Sequence, residues 1–406
     1  MSPGRLLHVL GGSPWQTPTV RRARELGFRV LVTDMYAERP AYAVADLHEQ
    51  VDITDLEATL EVARRHGVQG VLCDTTDVGV CTAAFVAEQL GLPGMGLEAA
   101  RNFTDKARMR DCARRAGWRL PVFERVHSRA DLDAAAARIG PSLVVKPVDN
   151  QSGRGVSIVD GPAGLAAAFE RAQAFSRGGE LIAEQLVEGP EIIVDGFALQ
   201  GRVHILGIAA KLPYADNPTI SSRIDYLAGT AFDALTGRVT AAAQRLIVEM
   251  GLGNGIFHAE FNLHRDQPVP IDVAARGGGV MIYTRVLEHV CGVDVMAAMI
   301  RLAMGEAVTI VPIAARRGAS IDFLRLPVGR LQEFCGVADA CALPGVAAVH
   351  LAAAPGAGVG PLLQKDDRPG FVVALAETTT EAVARAEVAK RRLSARMDDG
   401  RVVAIT

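Results

Sequence analysis

Between Gly255 and Thr284 the chain reads GIFHAEFNLHRDQPVPIDVAARGGGVMIYT, and no other stretch limits the fold as much. Two runs alternate apolar with polar residues, the period of half-buried strands. Arg265-Asp266-Gln267-Pro268 interrupts them with turn-forming residues. If the runs pair antiparallel around that turn, Glu260 on the first and Asp272 on the second face the same side. Two carboxylates held together without a cation repel, and one pKa rises. A hard divalent cation such as Mg²⁺ relieves the repulsion and takes oxygen ligands. Arg276 follows Asp272 by four residues, a fixed positive fork suited to phosphate or carboxylate. Gly277-Gly278-Gly279 then lets the backbone come close to a ligand before the next helix. A surface hairpin with solvated charges would carry the same residues.

Composition excludes several classes. The chain has 406 residues, room for two or three domains around a sizeable core. A net charge of −3 argues against a nucleic-acid footprint, and 5% aromatics against base-stacking platforms. Six cysteines (Cys73, Cys81, Cys112, Cys291, Cys335, Cys341) contain no C-x-x-C pair and read as buried free thiols of a reducing compartment. No apolar run is long enough to span a bilayer, and the first residues lack a signal-peptide pattern. A cytoplasmic protein without a membrane partner is expected.

The N-terminal part alternates strand and helix. Leu6–Leu10, Phe28–Thr33 and Gln69–Asp74 read as strands, and Thr19–Leu26 and Leu56–His66 as helices. That order predicts a parallel sheet covered by helices. Asp34 at a strand end would suit a dinucleotide ribose, but GGSPWQ is not G-x-G-x-x-G, and Pro14 stands where close helix packing should begin. Asp74-Thr75-Thr76-Asp77 ends a strand where open α/β sheets bind ligands, and equally suits a helix cap.

Beyond residue 100 the pattern changes. Thr104-Asp105-Lys106 opens a charged helix that Gly117 ends. Leu143-Val144-Val145-Lys146-Pro147 is a strand closing on a lysine. It is followed by the loop Asp149-Asn150-Gln151-Ser152-Gly153-Arg154-Gly155 and a strand Val156–Val159. A strand lysine beside a Gly/Ser loop can hold a polyphosphate, with backbone N–H groups around the oxygens. No Gly-Lys-Ser/Thr follows, so this is not a Walker A loop. Leu181–Glu184 and Ile192–Phe197 are further strands, separated by Gln185–Glu191.

The order Lys106, Lys146 with its glycine loop, Glu184, Glu191, Glu260, Asp272 and Arg276 resembles the ATP-grasp superfamily over about residues 100–305. The resemblance implies an α/β and α+β chain with an ATP-grasp fold: a Rossmann-like N-terminal domain (1–100), a linker helix with a mobile central lobe (101–187), a catalytic lobe (188–305), and an α+β remainder of that lobe (306–406). It implies ATP and Mg²⁺, with Mn²⁺ as a substitute. Lys106 and Lys146 would contact the α- and β-phosphates, and Gln151–Gly155, with Ser152, Gly153 and Gly155, would close over them. Glu184 and the backbone of Gln185, Leu186 and Val187 would read adenine, Glu191 the ribose, and Glu260 and Asp272 the metal. Arg276 would be catalytic, stabilising an acyl phosphate or tetrahedral intermediate.

One departure stands out. The family's second metal strand usually reads Glu-x-Asn-x-Arg; here it is Asp272-Val273-Ala274-Ala275-Arg276, so Ala274 supplies no ligand and water or Asn262 would have to fill the gap. The run Arg276-Gly277-Gly278-Gly279-Val280, with Gly292-Val293-Asp294 later, is similar to the amino-acid ligase branch. That implies an acid and an amine as substrates, bound by Arg276, Gly277, Gly278 and Gly279 with Lys211 and Arg223 nearby, and a homodimer. Two alternatives stay open: a purine-biosynthetic or bicarbonate-using ATP-grasp enzyme, and a non-catalytic nucleotide-binding regulator. The last hundred residues read as strands Ala319–Leu326, Val346–Leu351 and Gly370–Ala376 and a helix Thr380–Leu393. The loop 149–155 and the segment Asp216–Asp225 are expected to be the most flexible.

Overall fold

A computed structural model describes residues 4–405. The N-terminal sheet is parallel, as the alternation predicts. Its strands lie in the order Leu47–Gln50, Arg29–Asp34, Leu6–Leu10, Gly70–Leu72. The helix Leu56–His66 occurs with the expected bounds. Asp55 caps it by accepting the Ala58 N–H, and Gly67 ends it in the left-handed region at φ 62°.

The central lobe is a four-stranded antiparallel sheet ordered Phe123–Val126, Leu181–Gln185, Ser142–Pro147, Ser157–Asp160, with its own apolar core under the helices Arg129–Ile139 and Leu165–Phe175. Beyond residue 188 lies one antiparallel sheet of eight strands. They run Gln267–Ala274, Gly255–His264, Glu191–Leu199, Arg202–Tyr214, Asn217–Tyr226, Gly318–Phe323, Gly370–Ala376 and Val346–Leu351. Strands before residue 275 and after residue 317 therefore share one sheet. A smaller sheet of Gly358–Val359, Gly329–Cys335, Ser394–Met397 and Val402–Ala404 covers the C-terminal end. No helix among the described residues is long and apolar enough to cross a membrane.

The hairpin forms as the alternation requires. Its turn is tighter than expected: only Arg265 and Asp266 leave the strands, both at positive φ (49° and 62°), the backbone of a two-residue hairpin turn. The expectation of a flexible Asp216–Asp225 is corrected. Asn217–Tyr226 is a strand of the large sheet, paired with Arg202–Tyr214 along its length and with Gly318–Phe323 over Arg223–Tyr226. Its polar residues find partners: Ser221 accepts from Arg368, Asp225 takes Arg223 at 2.8 Å and Ser320 at 2.7 Å, and Arg223 also reaches Glu387. The helix Thr230–Met250, absent from the sequence reading, packs its apolar stripe against the same sheet.

The N-terminal sheet and the large sheet share one apolar cluster through the helix Val295–Ala303. At that junction Asp74 is fully buried, accepting from Thr19 and Thr75. Burial pushes its carboxyl up to about 6, and the hydrogen bonds only partly oppose it. A raised folded-state pKa stabilises the fold below the unfolded value near 4, and that stability is lost as pH rises through about 6. Asp74→Asn should therefore melt higher than the unsubstituted chain above about pH 6, by on the order of 3 kcal/mol, and match it near pH 4. Thermal melting across that range checks this; equal melting curves at neutral pH would contradict it.

Candidate functional site

The cleft between the lobes is built around the hairpin. Glu260 and Asp272 are register partners on adjacent strands, so their side chains emerge on the same face. Each has cations beside it. Lys211 lies 3.0 Å and Lys365 3.7 Å from Glu260, and Lys106 lies 3.5 Å from Asp272. Burial pushes both carboxyls up, but the lysines outweigh it. Glu260 ends well below the usual carboxylate range and Asp272 somewhat below it. Lys106 is presented by the first turn of the helix Lys106–Arg115, whose N-cap Asp105 accepts the Arg108 N–H. Its ammonium also donates to the Asn150 carbonyl at 2.8 Å, tying it to the glycine loop.

Lys146 and Glu184 form a buried pair at 2.5 Å, and Glu184 also takes Arg110 at 2.9 Å. Burial raises the Glu184 carboxyl, yet Arg110 and Lys146 together hold it down at about 2. Arg110 donates further to the carbonyls of Pro270 and Ile271, immediately before Asp272. Gln185 and Leu186 spend their N–H groups on Val122 and Ser142, and the Val187 carbonyl accepts from Asn262 at 2.5 Å. Asn262 spends its amide N–H on Val187 and lies outside the lining of the cleft. Glu191 pairs with Lys211 across adjacent strands, so Lys211 bridges Glu191 and Glu260.

A cleft of about 340 Å³ opens beside the acidic pair. Among the anticipated residues, Ser152, Lys211, Glu260, Asp272, Arg276 and Gly279 line it. Lys106 and Glu191 reach it through Asp272 and Lys211, whereas Glu184 to Val187 lie outside its lining. Arg223 does not join the site, because its guanidinium is tied to Asp225 and Glu387. Arg276 is held bidentate by Asp77 of the N-terminal domain at 2.6 and 3.0 Å, and the Gly277 N–H donates to the Asp74 carbonyl at 2.7 Å. A Cβ on Gly277 would lie 2.3 Å from the Tyr283 ring, so only glycine lets this loop lie flat on the helix that follows.

Sequence reasoning missed Asp77's role, Arg110, Lys365 and Arg368. Lys365, Asp366 and Arg368 all line the cleft but come from the C-terminal part, far from the hairpin in sequence. Asp77 was legible as an acid at a strand end; the others carried no local signal. His258 also lines the cleft, its Nδ1 2.7 Å from Asp195, which accepts the Tyr226 hydroxyl at 2.5 Å.

Among the described residues no three His, Cys, Asp or Glu side chains cluster as a metal cage. Two opposed carboxylates still fit Mg²⁺, which takes one or two protein carboxylates and completes its shell with water and phosphate oxygens. Glu260 and Asp272 are the residues that would hold it.

An ATP-grasp domain model matches residues 139–284, and a model of L-amino acid ligase C-terminal domain 2 matches residues 322–398. The chain is 30% identical over 301 residues to a formate-dependent phosphoribosylglycinamide formyltransferase of Synechococcus sp. (strain WH7803), an alignment covering 71% of this chain and 74% of that relative. The crystal structure of L-amino acid ligase from Bacillus licheniformis superposes with a TM-score of 0.81 at 22% identity, covering 97% of this chain and 98% of that one. Phosphoribosylglycinamide synthetase from Anaerococcus prevotii gives 0.76 at 16% identity, covering 97% and 100%. These two likenesses speak for the fold; together with the matching domain model and the sequence relative, they place the chain in the ATP-grasp family of ligases.

Proposed function

We propose that the protein activates a carboxylic acid as an acyl phosphate at the expense of ATP and joins it to an amine, with amino acids as substrates, releasing ADP and phosphate. The observation that carries this reading is the meeting of Arg276 with the Glu260–Asp272 pair in one cleft, walled by the N-terminal domain. The C-terminal match to an L-amino acid ligase domain supports amino-acid substrates.

In the first step the acid's oxygen forms a bond to the γ-phosphorus while the bond to the β–γ bridging oxygen breaks. In the second the amine adds to the acyl carbon, loses a proton, and expels phosphate. No protein nucleophile is needed. The chain positions reactants, compensates charge and excludes water. Mg²⁺, when bound, would neutralise phosphate charge. In this reading Lys106 and Lys146 meet phosphates, Lys146 by leaving Glu184, and the Gln151–Gly155 loop shields them. Arg276 has the fork geometry to hold the acid, and later the oxyanion of the tetrahedral adduct. Trp15, Val280 and Phe323 add apolar surface to the lining of the cleft. Because the sequence relative is named formate-dependent, formate is the alternative acid, with a glycinamide-type amine.

Phosphate release is the test. It should require ATP, Mg²⁺, an acid and an amine together, with amino-acid pairs outperforming formate. Release with formate and no other acid would favour the alternative, and nucleotide binding without release under any pair would favour a regulator. Arg276→Ala should lower turnover by roughly 10²- to 10³-fold while leaving the thermal stabilisation by ADP in place. Lys146→Ala should abolish that stabilisation. The opposite pattern in the two variants would reverse the roles given to them.

A further inference from the structure

Three lysines face the acidic pair, and two of them, Lys106 and Lys211, belong to the segments that build the ATP-grasp lobes. The third has no assigned part. Lys365 opens a short turn, Lys365–Asp367, between the two C-terminal sheets. Its ammonium lies 3.7 Å from Glu260, within the lining of the cleft that holds Arg276. The turn is fixed from within: Asp367 accepts the Leu363 and Gln364 N–H groups at 2.8 and 2.9 Å. It is also fixed to the large sheet, because Arg368 donates both to the Lys365 carbonyl and to Ser221.

The same turn is gripped by the central lobe. Arg154, in the glycine loop, reaches Asp366 through two nitrogens at 2.6 and 3.1 Å. Arg171, on the helix Leu165–Phe175, donates to the Leu363 carbonyl at 2.9 Å. A Cβ built on Gly153 would lie 4.0 Å from Lys365 Cε, so the loop passes beside that side chain. The loop expected to cover the phosphates is therefore latched onto the residues that carry Lys365. Arg154 and Asp366 are both partly exposed, and pairs of that kind are individually weak, which suits a latch that must reopen.

We infer that Lys365 is a further catalytic residue, a cation that meets the γ-phosphoryl group of ATP when the Arg154–Asp366 latch closes the glycine loop over the nucleotide. The inference rests on ATP use, not on the identity of the acid or amine. With Lys106 and Lys146 assigned to the inner phosphates in the proposed function, Lys365 is the cleft cation left for the terminal phosphoryl. Lys365 stands beside Glu260 while Lys106 stands beside Asp272, and no carboxylate lies closer to Lys365 than Glu260 among the described residues. During transfer the three equatorial oxygens carry the charge, and an ammonium there stabilises them without moving a proton.

The test needs no turnover. Affinities for ADP and for the non-hydrolysable analogue AMP-PNP are measured by calorimetry with Mg²⁺ on the full chain. Lys365→Met should weaken AMP-PNP roughly 10- to 100-fold, the loss of one charge-assisted contact, and leave ADP unchanged. Lys365→Arg should recover most of the loss. Arg154→Ala and Asp366→Ala should each show part of the same selective loss, and the double variant no more than either alone. Should Lys365→Met not fold, Lys365→Gln is measured in its place. Equal weakening of ADP and AMP-PNP, or of neither, overturns the inference. A protein that shows the selective loss but no acid- and amine-dependent phosphate release would keep this inference and lose the ligase reading.

Discussion

A repulsion organises this molecule. Glu260 and Asp272 face each other from neighbouring strands in a cleft that is partly closed to water. Carboxylates so placed stay ionised together only if cations stand close. The chain supplies those cations from places far apart in sequence: Lys106 from the helix after the N-terminal domain, Lys211 from the large sheet, Lys365 from the C-terminal turn. Each lysine carries its own element with it. Three remote elements thus converge on one pair of charges, alongside the apolar cluster that joins the N-terminal and large sheets.

The N-terminal domain enters the site by a different contact. Asp77 takes both sides of the Arg276 fork, and the Asp74 carbonyl takes the next N–H. Gln151 of the glycine loop lies against the same segment, with its side-chain oxygen 3.3 Å from the Asp77 N–H. A fork that is already bidentate is oriented but not idle: an incoming acid competes with a carboxylate for it. The N-terminal domain thus fixes the direction of Arg276 and also touches the glycine loop.

Much of this was legible before the structure. The period-2 alternation placed Glu260 and Asp272 on one face, since a slip by one residue would have buried the charges and exposed the apolar set. Asp105 announced the helix that carries Lys106. The failures share a cause. Asp216–Asp225 reads as flexible because Asn217, Pro218, Ser221, Ser222 and Asp225 are turn formers, but Ser221, Asp225 and Ser222 are satisfied by Arg368, Ser320 and Pro213, partners 147 and 95 residues away or on the neighbouring strand. Arg223 looked available for substrate for the same reason, and its acids are likewise remote or on its own strand. Lys365 and Arg110 were invisible because a lone cation on a turn or helix has no pattern until its anion is known.

Arg110 shows why such remote pairing matters to chemistry. It stands one helical turn after Lys106, so both project from one face of the helix. Lys106 meets Asp272 while Arg110 meets Glu184 and the carbonyls that precede Asp272. Breaking a buried ion pair by removing one partner is costly because a charge is left uncompensated. Glu184 avoids that cost by having two partners. If Lys146 turns toward a phosphate, Glu184 keeps Arg110, and no buried charge is stranded. A site that must exchange an internal anion for a ligand's anion needs such a shared carboxylate, and the triad of Lys146, Glu184 and Arg110 provides one behind the cleft.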